Sequence, residues 1–156
     1  MLVVDDERAW RVILETDLKM LGYKVSIAED ADQALIRAQA DKPEVAIIDL
    51  MLPEPMDGWG LLNELRARGQ KVPVIFYTAY PVFPSGTDDP DVVGYMSKAV
   101  DRADLYALLP VAIRRARERR NSDSEVITSR RTRRSRRRPS TARRPLSRGR
   151  RARAMR

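Results

Sequence analysis

The sequence predicts an α/β protein built on a parallel β-sheet that is covered by helices on both faces. Two observations lead to this prediction. Short apolar runs alternate along the chain with longer segments whose apolar residues recur at helical spacing. Two of the runs, 45–48 and 72–77, are apolar at every position, which is typical of strands buried on both faces of a parallel sheet. The predicted order is βαβαβαβ, then an irregular segment, and then βα.

The chain begins with signals for a strand, a helix and a second strand. Residues 2–4 (Leu-Val-Val) form an apolar run that stops at acidic residues, which predicts a buried strand. A helix follows over 8–21 because apolar residues recur at helical spacing, and Gly22 is a residue that can end it. Residues 23–28 then alternate apolar and polar side chains, which is the period of a strand.

The next three elements are a helix, a strand and a helix. Asp30 or Asp32 can cap an Ala-rich helix that ends before Pro43. The apolar run 45–48 predicts the third strand. A Pro-rich loop leads from it to a helix over about 59–68, whose leucines form an inward face.

The last part of the predicted domain departs from the alternation of strands and helices. Runs 72–77 and 92–96 predict the fourth and fifth strands. Between them, residues 80–90 contain three prolines and no helical pattern, so we expect a loop where the fourth helix would lie. An amphipathic last helix begins at Asp101, and Pro110 is expected to kink or divide it.

Composition narrows the chemistry that is available to this chain. It has no His and no Cys, which excludes zinc–cysteine sites, thiol nucleophiles and histidine-based catalysis. Carboxylates, hydroxyls, Lys and Arg remain, and these suit hard cations such as Mg²⁺. No segment has the pattern of a signal peptide or a membrane span, so we expect a cytoplasmic protein.

The net charge of +8 is the sum of two unlike parts. Residues 1–120 hold 16 basic and 20 acidic side chains, whereas residues 121–156 hold 14 Arg and two acidic residues. Because the second part has few large apolar side chains, we expect 1–120 to fold as one domain and 121–156 to be a disordered tail. Such a tail can bind nucleic acid non-specifically, contact an anionic membrane surface or the acidic domain, or have no selected role.

The candidate site lies where the predicted strands end, because ligands bind at the carboxyl ends of the strands in open parallel sheets. The residues found there carry carboxylate, hydroxyl and ammonium groups: Asp5, Asp6, Asp49, Thr78 and Lys98. Clustered carboxylates repel one another unless a cation lies among them, so this set predicts a Mg²⁺ site. A carboxylate beside Mg²⁺ can attack phosphorus, and Lys and Thr can bind the phosphoryl oxygens. Taken singly, each residue can also be an ordinary helix cap or strand end.

Several motifs occur in an order that is typical of one family. They are Leu-Val-Val-Asp5-Asp6-Glu, Lys-Pro-Glu-Val-Ala-Ile-Ile-Asp49-Leu-Met-Leu-Pro, Met56-Asp-Gly, Val-Ile-Phe-Tyr-Thr78-Ala and Gly-Tyr95-Met-Ser-Lys98. Through these motifs, residues 1–118 resemble the CheY-like receiver domain of two-component response regulators. The resemblance implies a flavodoxin-like, doubly wound sheet of five parallel strands in the order 2-1-3-4-5.

The resemblance also implies roles for the acidic residues. Asp49 would accept a phosphoryl group from a phosphohistidine on a sensor histidine kinase or a phosphotransfer protein. Asp6, Asp49 and the backbone carbonyl of Met51 would bind Mg²⁺, with Asp5 acting through water. Such a protein is a signalling phosphoacceptor and not a conventional enzyme.

Other residues would respond to the phosphoryl group: Lys98 would pair with it, Thr78 would reorient toward it, and Tyr95 would swing inward. Where the family usually has a cis proline after the lysine, this chain has Ala99. A non-proline cis bond costs about 3 kcal/mol, so we expect a trans bond and a less firmly held lysine. The loop after the phosphoacceptor is one residue longer than usual. The loop at 80–90 removes part of the surface through which the family often dimerises, so the oligomeric state stays open.

Two functions are therefore predicted. The first is a single-domain response regulator that accepts a phosphoryl group on Asp49 in a Mg²⁺-dependent phosphorelay step. The alternative is a degenerate receiver that acts as a protein-interaction module without phosphorylation and binds nucleic acid non-specifically through 121–156. An aspartyl phosphatase or hydrolase is a third option, for which the sequence shows no substrate pocket.

Overall fold

The computed structural model describes residues 1–79 and 89–135, with side chains as far as Ile127. Each strand and helix that the sequence predicts in this part of the chain is present. The elements are β1 Leu2–Val4, α1 Arg8–Met20, β2 Ser26–Ala28, α2 Ala31–Asp41, β3 Ala46–Ile48, α3 Gly58–Ala67, β4 Val74–Thr78, β5 Val92–Ser97 and α4 Arg102–Ser135.

The five strands form one parallel sheet in the order β2-β1-β3-β4-β5. This is the flavodoxin-like order that the resemblance implies, and the prediction of the fold is confirmed. The chain winds outward from β1 in one direction to β2 and in the other direction to β3. An open sheet of this kind forms its ligand crevice at that switch point.

Alternate side chains of the strands enter two apolar cores, one on each face of the sheet. Val3 and Ile47 pack with residues of α1 and α4. Leu2 and Val4 point the other way and pack with residues of α2 and α3. β1 and β3 are buried at every position, which explains why both are apolar throughout.

Side-chain caps explain where α2 and α3 begin. Asp30, and not Asp32, caps α2, because its Oδ1 accepts a 2.8 Å hydrogen bond from the backbone N–H of Gln33. Asp57 caps α3 in the same way and accepts a 2.7 Å hydrogen bond from Gly60 N. Both aspartates satisfy backbone donors that the first turn of a helix leaves free.

The helix α4 runs through Pro110 without a break, so the division expected there does not occur, and a kink at Pro110 stays a prediction. The helix forgoes the hydrogen bond that the proline nitrogen cannot donate, while the buried Leu105 and Leu109 keep this segment packed. It also continues to Ser135, so residues 121–135 are helical where the sequence predicts a disordered tail. Extending an existing helix adds a hydrogen bond per residue and needs no new nucleus.

Two predictions fall on residues outside the described part of the chain. The loop expected over 80–90 in place of the fourth helix lies outside it at 80–88, and the rest of the tail lies outside it at 136–156. The chain divides into two units, Met1–Ser122 and Asp123–Arg156. The predicted domains 1–120 and 121–156 stay a prediction. Among the helices that are described, none combines the length and the apolar character needed to cross a bilayer.

Candidate functional site

The candidate site forms at the carboxyl ends of β1, β3, β4 and β5, which are neighbours in the sheet. Asp5 follows β1 and Asp49 follows β3, where Asp49 N donates a 2.9 Å hydrogen bond to the carbonyl of Val4. Thr78 ends β4, and its carbonyl accepts a 2.8 Å hydrogen bond from Lys98 N, directly after β5. The sheet therefore brings together the strand-end residues that the sequence singles out.

Asp5, Asp6 and Asp49 form an acidic cluster. Each offers a carboxylate oxygen, and these oxygens lie within 4.8 Å of one another. Asp5 is 2 % exposed and Asp49 is 4 % exposed, whereas Asp6 is open to solvent. Three negative charges at this separation repel one another, so the cluster favours a positive charge among them.

Lys98 supplies one such positive charge. Its Nζ lies 2.7 Å from Asp5 Oδ2 and 2.8 Å from Asp49 Oδ2, and its side chain is buried. Burial lowers the pKa of Lys98, but the hydrogen bonds to Asp49 and Asp5 outweigh burial and leave the pKa above its ordinary value. Burial raises the pKa of Asp5, although the bond from Lys98 opposes this. The lysine is therefore charged and held between two carboxylates.

The bond from Lys98 to Ala99 is trans, as the sequence predicts. With this backbone the ammonium group has two close carboxylate partners, and the expectation that the lysine is less firmly held stays a prediction. The turn that follows is closed at Ser97, whose Oγ accepts a 3.1 Å hydrogen bond from Ala99 N and whose carbonyl accepts one of 3.2 Å from Val100 N.

Hydrogen bonds from the backbone hold the two buried aspartates. Glu7 N donates to Asp5 Oδ1 at 2.9 Å, and Met51 N donates to Asp49 Oδ1 at 3.0 Å. Arg11 Nη1 supports the β1–α1 loop by donating to the carbonyls of both its aspartates, at 2.7 and 2.8 Å. The Oδ1 atoms thus face backbone donors, and the Oδ2 atoms face the lysine.

The helix α3 approaches Asp49 closely because it begins at a glycine. Gly58 N donates a 3.0 Å hydrogen bond to the carbonyl of Leu50. A Cβ atom on Gly58 would lie 2.4 Å from the carbonyl oxygen of Asp49. Any larger residue would push the helix away from this loop. The additional residue in the loop does not prevent the contact.

The predicted switch residues Thr78 and Tyr95 lie on neighbouring strands. Thr78 is fully buried at the end of β4. Tyr95 is half-buried on β5, and its ring stacks on Phe76 with the two centroids 5.5 Å apart. The ring also lies 6.0 Å from that of Trp59 in α3. Tyr95 is thus packed among aromatic rings on one face of the sheet, and its movement stays a prediction.

Two residues contact the site although the sequence motifs give them no role. The ring of Trp10 lies 5.2 Å from Lys98 Nζ, and Arg11 binds the loop that carries the acidic residues. The helical pattern accounts for Trp10 as a core residue and for Arg11 as a surface charge. The one sequence signal for both residues is that they lie in the first turn of α1, shortly after Asp5 and Asp6.

A comparison with protein families identifies the class of protein. Residues 1–110 match the model of the response regulator receiver domain. The chain therefore belongs to the receiver domains of two-component response regulators, which confirms the resemblance. Its acidic pocket is formed by Asp5, Asp6 and Asp49.

Two curated relatives are longer than this chain. Response regulator MprA of Mycobacterium avium is 31 % identical over 134 residues, which are 81 % of this chain and 56 % of that protein. A protein described as "Probable transcriptional regulator ycf27" of Cyanophora paradoxa is 45 % identical over 78 residues, which are 50 % of this chain and 32 % of that protein. The chain thus spans about half or less of the length of these relatives.

Solved structures of receivers have the same fold. Response regulator protein TrrA of Thermotoga maritima, in complex with Mg²⁺ and BeF, matches with a TM-score of 0.64 and 26 % identity over 71 % of this chain and 96 % of that chain. The signal receiver domain of an HD domain-containing protein from Pseudomonas fluorescens matches with a TM-score of 0.68 and 26 % identity over 75 % of this chain and 95 % of that chain.

Proposed function

We propose that this chain accepts a phosphoryl group on Asp49 from a phosphohistidine of a sensor histidine kinase or a phosphotransfer protein. The observation that carries the proposal is the 2.8 Å contact between Lys98 Nζ and Asp49 Oδ2 within a cluster of three carboxylates. Met51 N holds Asp49 through Oδ1. Asp49 Oδ2 contacts the Lys98 ammonium group, which can pair instead with an incoming phosphoryl group.

The donor set suits Mg²⁺. The cluster offers only oxygen ligands, and Lys98 offsets one of three negative charges, so an excess of negative charge remains. We propose that Asp6, Asp49 and the carbonyl of Met51 hold the ion, with Asp5 acting through water. When bound, Mg²⁺ neutralises charge on the phosphoryl oxygens. The related protein TrrA is described in complex with Mg²⁺ and BeF, which supports this proposal.

The transfer step uses groups that the chain itself supplies. A carboxylate oxygen of Asp49 attacks phosphorus, a P–O bond forms, and the P–N bond of the phosphohistidine breaks with its electron pair going to the imidazole nitrogen. The ammonium group of Lys98 then pairs with the new phosphoryl oxygens, and the Thr78 hydroxyl donates a hydrogen bond to them. Tyr95 repacks in response. The chain acts as a signalling phosphoacceptor whose chemistry is confined to its own phosphorylation and dephosphorylation.

Mass spectrometry of the intact protein tests this proposal. After incubation with Mg²⁺ and acetyl phosphate, we expect the wild type to gain one phosphoryl group and Asp49→Ala to gain none. Asp32→Ala, at an exposed position of α2, is the matched control and is expected to behave as the wild type. Chelation of Mg²⁺ should prevent the gain. A wild type that gains nothing contradicts the proposal and favours an interaction module that works without phosphorylation.

The positive charge of residues 121–156 favours a second function, the binding of nucleic acid. The 14 arginines of 121–156, against two acidic residues, give this segment affinity for the phosphates of nucleic acid. No aromatic residue follows Tyr106, so base stacking is not available and binding would be non-specific. Filter binding of duplex DNA at low and high salt tests this, with the arginines after residue 129 replaced by glutamine as the comparison. Binding that survives the replacement would contradict it.

A further inference from the structure

The ammonium group of Lys98 has an aromatic neighbour besides its carboxylate partners. The centroid of the Trp10 ring lies 5.2 Å from Nζ, which is within the range of a cation–π contact. Such a contact is stronger for a desolvated ammonium than for an exposed one. The side chain of Lys98 is 3 % exposed, so its ammonium has lost almost all its water.

Trp10 is itself held in place by the core. Its ring packs edge-to-face against that of Tyr77, with centroids 5.5 Å apart and planes at 90°. Tyr77 is 1 % exposed and belongs to the apolar core between the sheet, α1 and α4. The indole ring, partly buried itself, therefore lies packed between this core and the lysine.

The two buried carboxylate partners of Lys98 can exchange it for another cation, whereas the indole ring cannot. Asp5 and Asp49 belong to the acidic cluster, so any cation that binds there competes with Lys98 for their oxygens. Under the proposed function, Asp49 also changes its charge when it is phosphorylated. The indole ring is neutral and takes part in neither exchange. Trp10 is therefore a contact of the ammonium group that neither exchange alters, whereas the remaining carboxylate contact, to Glu7 Oε1 at 3.5 Å, is made by an exposed side chain.

We propose that Trp10 is a positioning residue for Lys98, and that its ring keeps the ammonium group within reach of Asp49 while the carboxylates change partners. The expected effect on phosphoryl transfer rests on the proposed function. The contact between the ring and the ammonium group does not, and it can be measured separately.

Two substitutions separate the aromatic ring from apolar packing. Trp10→Leu keeps an apolar side chain against Tyr77 and removes the ring, whereas Trp10→Phe keeps an aromatic face. With acetyl phosphate and Mg²⁺, we expect Trp10→Leu to slow phosphoryl gain about tenfold and Trp10→Phe to restore most of the rate. Thermal unfolding monitors the fold of both variants. A role in packing alone would lower the Tm of both and give no difference in rate between them.

A second readout follows Lys98 without phosphorylation. Brief acetylation of the full chain with acetic anhydride is measured by peptide mass at Lys98 and at Lys19, whose side chain is exposed. We expect Trp10→Leu to raise the ratio of Lys98 to Lys19 acetylation several-fold, and Trp10→Phe to leave it near that of the wild type.

The outcomes of the two readouts are distinct. An unchanged acetylation ratio in Trp10→Leu overturns the proposal, whatever the phosphorylation result. An unchanged rate of phosphoryl gain in a variant whose ratio rises also overturns it. A raised ratio in a chain whose wild type takes up no phosphoryl group supports the positioning of Lys98 by Trp10 and refutes the proposed function.

Discussion

The hydroxyl of Tyr106 in α4 donates a 2.5 Å hydrogen bond to Asp17 Oδ2 in α1. Arg102 Nε donates to the same oxygen at 2.9 Å. These bonds join the start of α4 to α1 on the face of the sheet where Trp10 packs. The bonds from Tyr106 and Arg102 outweigh burial and hold the pKa of Asp17 below its ordinary value, so Asp17 is charged at neutral pH.

The pKa of Asp17 makes a prediction about unfolding in acid. A carboxyl whose pKa in the folded protein lies below its ordinary value of 3.8 stabilises the fold above that pH, and the contribution is lost as the pH falls through the folded pKa. We expect Asp17→Asn to cost about 1–2 kcal/mol of the free energy of unfolding at pH 7 and progressively less below pH 3.8. Urea unfolding over this range measures the difference, with Asp32→Asn as the control. A cost that stays constant with pH would contradict the prediction.

Two tyrosine hydroxyls predict opposite effects of the same substitution. The hydroxyl of Tyr77 is buried, and no residue in the described part of the chain offers it a hydrogen-bond partner. Removing a buried polar group that lacks a partner is favourable, so we expect Tyr77→Phe to raise the free energy of unfolding by about 1 kcal/mol. Tyr106→Phe loses the bond to Asp17 and should lower it by about 1–2 kcal/mol. Chemical denaturation of both variants is the measurement, and a loss in Tyr77→Phe as large as in Tyr106→Phe would sink the prediction.

The close approach of α3 to Asp49 predicts that a side chain at Gly58 destabilises the fold. A Cβ at Gly58 would meet the backbone oxygen of Asp49 at 2.4 Å, whereas one at Gly60 would meet the flexible side chain of Met56 at 2.6 Å. We expect Gly58→Ala to cost about 2–3 kcal/mol of stability and Gly60→Ala clearly less. Thermal unfolding compares the two variants. Equal stability of both variants would contradict the prediction, because the backbone at Asp49 would then have moved to make room for the Cβ at no cost.

The pair of arginines around Asp91 predicts a further contribution to stability. Asp91 precedes β5, accepts a 2.8 Å hydrogen bond from Arg66 Nε and is also bound by Arg119. Burial raises the pKa of Asp91, but the two arginines outweigh burial and lower it. We expect Asp91→Ala to cost about 2–3 kcal/mol.

A more exposed ion pair is the control for Asp91. Glu64 and Arg68 form an i,i+4 pair on the surface of α3. Pairs of this kind contribute little, so we expect Glu64→Ala to change the free energy of unfolding by less than about 1 kcal/mol. Urea denaturation of the two variants at one pH makes the comparison. A smaller loss in Asp91→Ala than in Glu64→Ala would contradict the view that Asp91 supports β5.

The fold and the main members of the site could be predicted because they depend on local signals. Asp5, Asp49, Thr78 and Lys98 each end or follow an apolar run. The carboxyl ends of neighbouring parallel strands meet at one edge of a sheet, so a list of strand ends is already a list of neighbours. The family motifs added the strand order, which alternation alone does not specify.

The remaining features depend on distances that the sequence does not contain. The contact of Trp10 with Lys98 depends on how α1 packs on the sheet, and a helical pattern predicts only that Trp10 faces the core. The trans bond before Ala99 was predictable, but the hold on Lys98 comes from side chains far away in the chain. The length of α4 was missed because the low apolar content of 121–156 predicts disorder. A helix that is already formed extends at little cost, even without apolar contacts.

The strand β5 lies at the edge of the sheet, and an edge strand frays from its ends. An ion-pair site lies at each end of β5, and the two sites have opposite charge patterns. At the entry anchor, before β5, Asp91 lies between Arg66 and Arg119. At the exit anchor, after β5, Lys98 lies between two carboxylates. Only the exit anchor belongs to the acidic cluster. Charge added at Asp49 would therefore act on the exit anchor alone, because the entry anchor at Asp91 shares no residue with the acidic cluster.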